Sequence, residues 1–189
     1  MMAGRVRLHD AGPHRDNDIA LPHDIAEAGL RRQIGVLLPE LRAFARFLAR
    51  DRVMADDLVQ DTVLRALNAL HQFQPGTSLK AWLFTILRNA FYEQRRRRTR
   101  ETAVIEAGVD RTEATAPTQE LRADITDLHG LIWALTPLLR EALILIGAQE
   151  LSYEEAAAVC GVPVGTMKAR LSRARVALAA AMKAADGPG

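Results

Sequence analysis

The cationic and hydroxyl side chains of residues 163–183 have the types and spacing of a nucleic-acid contact surface. Five cations and no carboxylate fall in this segment: Lys168, Arg170, Arg173, Arg175 and Lys183. On a helix that turns about 100° per residue, one face opposite the apolar stripe carries small, hydroxyl and cationic groups: Gly165, Ala169, Ser172 and Arg173. Such a face can hydrogen-bond base edges in a major groove and neutralise phosphates. The alternative is an ordinary helical hairpin with a solvated basic face.

The residues before this segment predict the first half of a helix-turn-helix. Ser152 and Glu155 have the S-x-x-E spacing of a capping box, which begins a helix by satisfying backbone N–H groups. Gly161 is suited to end that helix and Pro163 to begin the next, because proline has no N–H to leave unpaired in a first turn. We interpret Cys160, the only cysteine, as a small buried hydrophobe, since no histidine motif supports a nucleophile.

A second set of cations lies in residues 79–98, a predicted helix capped by Ser78. The predicted outward face alternates cations with an aromatic side chain, and its residues are Thr85, Arg88, Tyr92 and Arg95. An arginine run, residues 95–98, extends this face. Cations beside an aromatic ring can neutralise phosphates and stack on unpaired bases. The alternative is a solubilising helix end whose cations complement the helix dipole. In the preceding Pro-Gly turn, Phe73 is either a small core plug or one wall of a pocket for an extruded base.

Residues 54–70 are predicted to form a helix with one mostly polar face. That face carries two carboxylates, an amide and one leucine: Asp57, Asp61, Asn68 and Leu64. An exposed leucine beside two carboxylates indicates a partner surface, and the alternative is a solvated acidic face with one stray leucine. Acid–base catalysis is disfavoured, because a helix surface implies no pocket.

Helical periodicity covers nearly the whole chain, so we expect an all-α fold of two small helical domains joined by a flexible linker. Residues 1–24 are predicted to be a disordered leader, 25–98 the first domain, 99–117 the linker, 118–183 the second domain and 184–189 a tail. Within the first domain, residues 34–49 are predicted to be helical, with Pro39 near a start or a kink.

Composition narrows the class of protein. The chain has 189 residues, 49% hydrophobic and 25% charged, which is typical of a soluble protein. No apolar run approaches the roughly 20 residues that span a bilayer, and the N-terminus has no signal-peptide core. With one cysteine, these features predict a cytoplasmic protein. The sequence has no metal-ligand cluster, Gly-rich phosphate loop or nucleophile motif, so we expect no enzyme activity, metal or cofactor.

Two stretches in this order resemble the characteristic regions of an extracytoplasmic-function (ECF) bacterial RNA polymerase sigma factor, of the sigma-70 family. The first is DDLVQDTVLRALNALHQFQPGTSLKAWLFTILRN, residues 56–89, and an arginine run follows it. The second is LTPLLREALILIGAQELSYEEAAAVCGVPVGTMKARLSRAR, residues 135–175. The wording QPGTSLKAWLFTILRN further resembles the EcfG-like branch, which directs the general stress response of alphaproteobacteria.

The resemblance implies a region 2-like helical bundle followed by a region 4-like helix-turn-helix domain. It implies a protein that joins core RNA polymerase, guides it to promoter DNA and helps separate the strands. The polymerase contact would lie on one helix face: Asp57, Gln60, Asp61 and Leu64. The downstream (minus-10) element would be met by Phe73, Gln74, Ser78, Lys80, Arg88 and Asn89. The upstream (minus-35) element would be met by Thr166, Lys168, Ala169, Arg170, Ser172 and Arg173.

The resemblance also implies a role in a stress response and control by an anti-sigma factor. The chain departs from the family at Lys168, which replaces a frequent arginine and so loses a bidentate fork for guanine. Ser172 is small, which leaves the base preference open. The alternative function is a stand-alone helix-turn-helix regulator, which would need neither the acidic helix nor the helix that carries Trp82.

Overall fold

The computed structural model describes residues 22–49, 51–106 and 123–185, and every regular element in these ranges is a helix. The first domain consists of α1 (Pro22–Leu48), α2 (Arg52–Asn68), a short 3-10 turn (Leu70–Gln72) and α3 (Leu79–Glu106). The second consists of α4 (Ala123–Ala134), α5 (Pro137–Leu143), a π-helical turn (Ile144–Ala148), α6 (Tyr153–Cys160) and α7 (Val164–Ala185). The expected all-α class is therefore confirmed. None of the described helices is long and apolar enough to cross a membrane.

The first domain is a bundle in which α1, α2 and α3 contact one another. Asp51 begins α2 by accepting a hydrogen bond from the Met54 N–H at 2.7 Å, a standard N-cap. At the centre, the stacked rings of Phe44 and Phe84 have centroids 4.9 Å apart, and both side chains are fully buried. This aromatic pair joins α1 to α3, so it fixes the helix that carries the predicted downstream-element residues.

Two helix limits differ from the sequence prediction. Helix α1 begins at Pro22, inside the predicted leader, and continues through Pro39 instead of starting near it. Gly35, whose carbonyl loses its partner at a proline four residues on, is exposed, so water can satisfy that carbonyl. Helix α3 runs to Glu106, into the predicted linker 99–117. The Thr99 hydroxyl donates to the Arg95 carbonyl at 3.0 Å, a contact that a threonine inside a helix can make without ending the helix.

Several predicted segments lie wholly or partly outside the described residues. These are most of the leader, the remainder of the linker, the start of the helix predicted from residue 118 and the last four residues of the tail. Within the described part, α7 continues to Ala185, slightly beyond the predicted domain end at 183. The described helices therefore account for both domains but not for the segment that connects them.

The first helix of the helix-turn-helix, α6, begins and ends at the predicted residues. Ser152 and Glu155 form the full capping box, with the Glu155 N–H donating to Ser152 Oγ at 3.1 Å and the Ser152 N–H donating to Glu155 Oε2 at 2.8 Å. Gly161 adopts the left-handed conformation, with φ of 64°, in which a side chain would be strained. The turn that sets the angle between α6 and α7 is thus specified by local sequence.

The two domains are in contact through α3 and α6, and their buried apolar side chains form one continuous cluster. Leu83 and Leu87 of α3 and Val159 of α6 belong to this cluster, and each is at most 2% exposed. The sequence pattern predicts separate domains and says nothing about their relative placement. In this structure they share a core.

Candidate nucleic-acid interface

The recognition helix α7 presents the predicted upstream-element residues on the side away from its core. Met167, Leu171 and Ala174 are at most 1% exposed and face α5 and α6. Four of the predicted contact residues are exposed: Lys168, Ala169, Ser172 and Arg173. The other two, Thr166 and Arg170, are half-buried. The predicted amphipathic pattern is confirmed over these positions. One face is packed, and the opposite face is available to a groove of DNA.

Two local contacts orient the cations of α7. The Lys168 ammonium lies 5.3 Å from the ring centroid of Tyr153, close enough for a cation–π interaction that directs it along α6. The Arg173 Nε donates to the Ala169 carbonyl one turn back at 3.3 Å, so its guanidinium follows the exposed face of the helix. Arg175 is also exposed, although it lies about 200° further round the helix than Arg173. The three cations therefore cannot all reach the same base.

The turn between α2 and α3 positions Phe73 and Gln74. The Gln74 carbonyl accepts from the Thr77 N–H at 3.2 Å and from the Thr77 hydroxyl at 2.7 Å, and Gly76 supplies the positive φ of 88°. Phe73 is half-buried, with its ring centroid 5.5 Å from that of Trp82. The ring is thus held at the edge of the bundle with one side packed, and Gln74 is exposed beside it.

The remaining predicted downstream-element residues lie on α3 or just before it, and only Asn89 is exposed. Ser78 caps α3 by accepting from the Ala81 N–H at 3.2 Å. Lys80 forms an ion pair with Glu40 of α1. Arg88 is turned towards the second domain, where its Nε lies 3.0 Å from Glu141 Oε2.

The predicted open face of α3 is therefore partly covered, and the cover is a buried polar cluster centred on Glu141. This carboxylate is 3% exposed, and it accepts hydrogen bonds from Arg88 on one oxygen and from the Tyr92 hydroxyl on the other. Cys160 Sγ lies 3.7 Å from the same carboxylate. A buried carboxylate is tolerated because both of its oxygens are satisfied.

The surroundings shift the pKa values of the groups that face Glu141. Burial, with the hydrogen bond to Glu141, raises the pKa of Tyr92 to about 12. Burial, with the Glu141 charge, raises the pKa of Cys160 to about 11. Burial disfavours the charged form of Arg88, but the charge and hydrogen bond of Glu141 outweigh it and raise the pKa of that guanidinium. The tyrosine and thiol therefore remain protonated and the guanidinium charged at neutral pH. The high thiol pKa agrees with Cys160 as a packed residue and not a nucleophile.

Helix α2 carries the predicted polymerase surface on its outer side. Asp57 and Gln60 are exposed, Asp61 is half-buried and Leu64 is 61% exposed. The Asp61 carboxylate accepts from Arg65 Nε at 3.0 Å, and Arg65 also reaches Glu93 of α3 at 2.8 Å. This bridge braces the acidic face against the bundle. The predicted outward orientation of Asp57 and Leu64 is confirmed, and their role in binding stays a prediction.

Sequence reasoning missed Glu141 and Arg140, and it placed Tyr92 on an outward face without its partner Glu141. Glu141 and Tyr92 carry no local motif that indicates a shared cluster, because they lie 49 residues apart. Arg140 donates to the carbonyls of Trp133 and Leu135 at 2.7 and 2.8 Å, and so closes the corner between α4 and α5. Its guanidinium carbon lies 3.9 Å from the Trp133 ring centroid. A cation a few residues after a tryptophan at a helix end is the only sequence signal for this corner.

The described residues contain no group of three or more His, Cys, Asp or Glu side chains that could hold a metal ion. Two clefts, one between the domains and one between α1, α2 and α3, are lined mostly by apolar and cationic side chains.

Comparison with known proteins agrees with this geometry. Residues 34–101 match the family model for sigma-70 region 2, and residues 125–178 match the model for sigma-70 region 4. The chain is 46% identical over 151 residues to the ECF RNA polymerase sigma factor EcfG of Rhodopseudomonas palustris (strain TIE-1), covering 80% of this chain and 83% of the relative. It is 39% identical over 142 residues to the ECF RNA polymerase sigma factor SigC of Mycobacterium tuberculosis (strain CDC 1551 / Oshkosh), covering 71% of this chain and 75% of the relative.

A solved structure is similar over most of both chains. It is the sigma factor RpoE in complex with the anti-sigma factor NepR from Bartonella quintana, with a TM-score of 0.70 and 44% sequence identity. The similarity covers 82% of this chain and 97% of that one. With two region models matched in order and a relative that is similar over most of its length, the chain belongs to the ECF RNA polymerase sigma factors of the sigma-70 family.

Proposed function

We propose that this protein binds core RNA polymerase through the outer face of α2 and directs it to promoters with two elements. The downstream element is contacted by the turn at Phe73 and by α3, and the upstream element by α7. The observation that carries the proposal is the orientation of α7. It buries Met167 and Leu171 and leaves Lys168, Ser172 and Arg173 exposed.

Neither domain offers enough contacts to select a promoter by itself. The exposed cations of α7 supply a few phosphate contacts, and such binding is weak and sensitive to salt. Polymerase provides the missing affinity by holding the two domains at a fixed spacing, because the second element is then met at a high effective concentration. Specificity accordingly belongs to the holoenzyme.

The α2 surface suits the polymerase because it joins an apolar contact to a charged rim. Leu64 is one of the most exposed large hydrophobic side chains of the described residues, and Asp57 and Asp61 lie on the same face. Burial of an exposed leucine supplies affinity, and the flanking carboxylates fix orientation by charge complementarity.

We further propose that the chain is a cytoplasmic, non-enzymatic subunit of the EcfG-like branch, that it acts in a stress response, and that an anti-sigma factor controls it. Support comes from the 46% identity to EcfG and from the similar sigma factor that was solved with the anti-sigma factor NepR. The extended basic and acidic surfaces of the two domains would suit a partner that contacts both.

The test is transcription from a library of templates with randomised upstream and downstream elements. Purified core polymerase is assayed with and without the protein, and the transcripts that depend on the protein are sequenced. We expect enrichment of two short elements at a constant spacing. Enrichment of a single element that the protein binds without polymerase would instead indicate a stand-alone regulator.

A further inference from the structure

The aromatic side chain at the start of α6 lies against a cation of the recognition helix. Tyr153 is the first residue of α6, and its ring centroid lies 5.3 Å from the Lys168 ammonium of α7. A cation within about 6 Å of the centroid is attracted by the negative face of the ring. The contact therefore joins a residue outside the proposed DNA surface to one inside it.

Tyr153 is the fixed partner of this pair. Its ring is half-buried and packs against the buried apolar cluster. The backbone that carries it is set by the capping box, in which the Glu155 N–H donates to Ser152 Oγ at 3.1 Å. The left-handed Gly161 then sets the direction in which the chain leaves α6. The ring is thus held in place whatever the conformation of Lys168.

Lys168 is the partner that gains order from the contact. It is exposed, and its ammonium is carried on a flexible four-carbon stem. The neighbouring Met167 is fully buried, so the helix backbone is fixed here and only the stem is free to turn. Holding such a stem in one direction costs side-chain entropy when the ammonium binds a base. A ring that attracts the ammonium before DNA arrives reduces that cost.

The contact leaves the ammonium able to bind a base. A lysine ammonium has three N–H donors, and the ring face can accept one of them. The other two remain for acceptors such as those of guanine in the major groove. An arginine would reach both guanine acceptors with one rigid fork, which lysine lacks. The ring of Tyr153 supplies part of the orientation that is missing at Lys168.

We propose that Tyr153 is a positioning residue for base readout, with its ring directing the Lys168 ammonium to one base of the upstream element. This proposal rests on the proposed function, because it requires that α7 enters the major groove at that element. The role needs no contact between Tyr153 and DNA. Loss of the ring should therefore reduce the preference at the base that Lys168 meets and leave the preferences at other positions unchanged.

The test is equilibrium binding of reconstituted holoenzyme to all single-base variants of the upstream element. The proteins compared are the wild type, Tyr153→Leu, Tyr153→Phe, Lys168→Ala and the double variant with Tyr153→Leu and Lys168→Ala. Val162→Ala is the matched control, because Val162 is another half-buried side chain of the helix-turn-helix that packs on the apolar cluster. In the free protein, the NMR shifts of the Lys168 side chain report whether it lies over the ring.

We expect Lys168→Ala to remove the preference at one position, and Tyr153→Leu to reduce the preference at that position by about two- to fivefold. Tyr153→Phe, which keeps the ring, should retain it. In the double variant, loss of the ring should add nothing at that position, because the ring acts only through the ammonium. Val162→Ala should leave the relative preferences among positions as they are in the wild type.

A variant of unchanged shape decides the test if Tyr153→Leu loses helicity by circular dichroism. Pentafluorophenylalanine at position 153 keeps the ring but reverses its charge distribution, so it repels a cation where phenylalanine attracts one. Compared with Tyr153→Phe, it should reduce the preference at the position that Lys168 meets. An equal preference with both rings would reject the proposal.

Four other results would reject the positioning role. These are an equal loss at every position in Tyr153→Leu, additive losses in the double variant, loss of the preference in Tyr153→Phe, and Lys168 resonances that Tyr153→Leu does not shift. Failure of the proposed function has a different signature. Lys168 would then show the shift caused by the ring in the free protein, but wild-type holoenzyme would have no base preference at any upstream position, which would reject both the readout and the role that rests on it.

Discussion

Replacement of Arg173 by alanine should relax base preference at one position of the upstream element. The Arg173 side chain is exposed on the α7 face opposite Met167 and Leu171, and its Nε contact to the Ala169 carbonyl aligns the guanidinium with that face. A bidentate contact to guanine contributes about 1 to 3 kcal/mol of discrimination. That range corresponds to a loss of about 5- to 150-fold at the preferred base.

Arg175→Ala is the matched control, because Arg175 is an exposed cation of the same helix on another side. Its side chain is expected to reach at most a phosphate. Its loss should weaken all sequences alike and reduce the slope of log affinity against log salt by about 0.9. Both variants keep the buried stripe of α7, so the fold of the second domain should not change.

The assay is the equilibrium binding of holoenzyme to a panel of single-base variants of the upstream element at several salt concentrations. Arg173→Ala should compress the differences among variants at one position and leave those at the others. If it weakened every variant by the same factor, the helix would act there as an electrostatic anchor. The base-reading role would then have to fall on Lys168 or Ser172.

Three further outcomes are expected. Leu64→Glu should weaken co-purification with core polymerase by about tenfold or more, since burying a leucine contributes about 1.5 to 3 kcal/mol. Val36→Glu, at an even more exposed position of α1, should leave co-purification unchanged, and equal retention of both variants would contradict the α2 surface. Phe73→Ala and Asn89→Ala should reduce permanganate reactivity of melted thymines more than they reduce closed-complex binding, and an equal loss at both steps would argue against a base pocket. The hydrogen bonds of the capping box, first that from the Ser152 backbone, lower the pKa of Glu155, so the ionised carboxylate stabilises the fold above the ordinary carboxyl pKa and this stabilisation is lost as pH falls through the lowered pKa. The difference in stability between the wild type and Glu155→Gln should therefore shrink in acid. A difference in thermal unfolding that stays constant from pH 3 to 7 would oppose this.

The sequence predicts those parts of the fold that are set by neighbouring residues. Ser152, Glu155 and Gly161 define the helix-turn-helix because capping and left-handed backbone are local requirements. The exposed Asp57 and Leu64 follow from helical periodicity alone. These features would form in nearly any tertiary arrangement, which is why a pattern of a few residues suffices to place them.

The rest depends on contacts between residues that are distant in the chain. Arg88 meets Glu141 53 residues later, and periodicity predicts only that Arg88 lies on a polar face. That face is covered by the second domain in this arrangement, and no local pattern records it. Similarly, Pro39 and Thr99 discourage a helix locally, yet both are helical here. Gly35, four residues before Pro39, is exposed, and the Thr99 hydroxyl donates to the Arg95 carbonyl within the helix.

The most direct test of the account is run-off transcription by reconstituted holoenzyme on the selected promoter with altered spacing between its two elements. Insertion of five base pairs turns one element about half a helical turn away from the other. If one protein reads both elements while polymerase holds its domains at a fixed distance, this insertion should abolish initiation that depends on the protein, and a ten-base-pair insertion should not restore it. Initiation that persists with either spacing would contradict the central claim that α3 and α7 read a single promoter together.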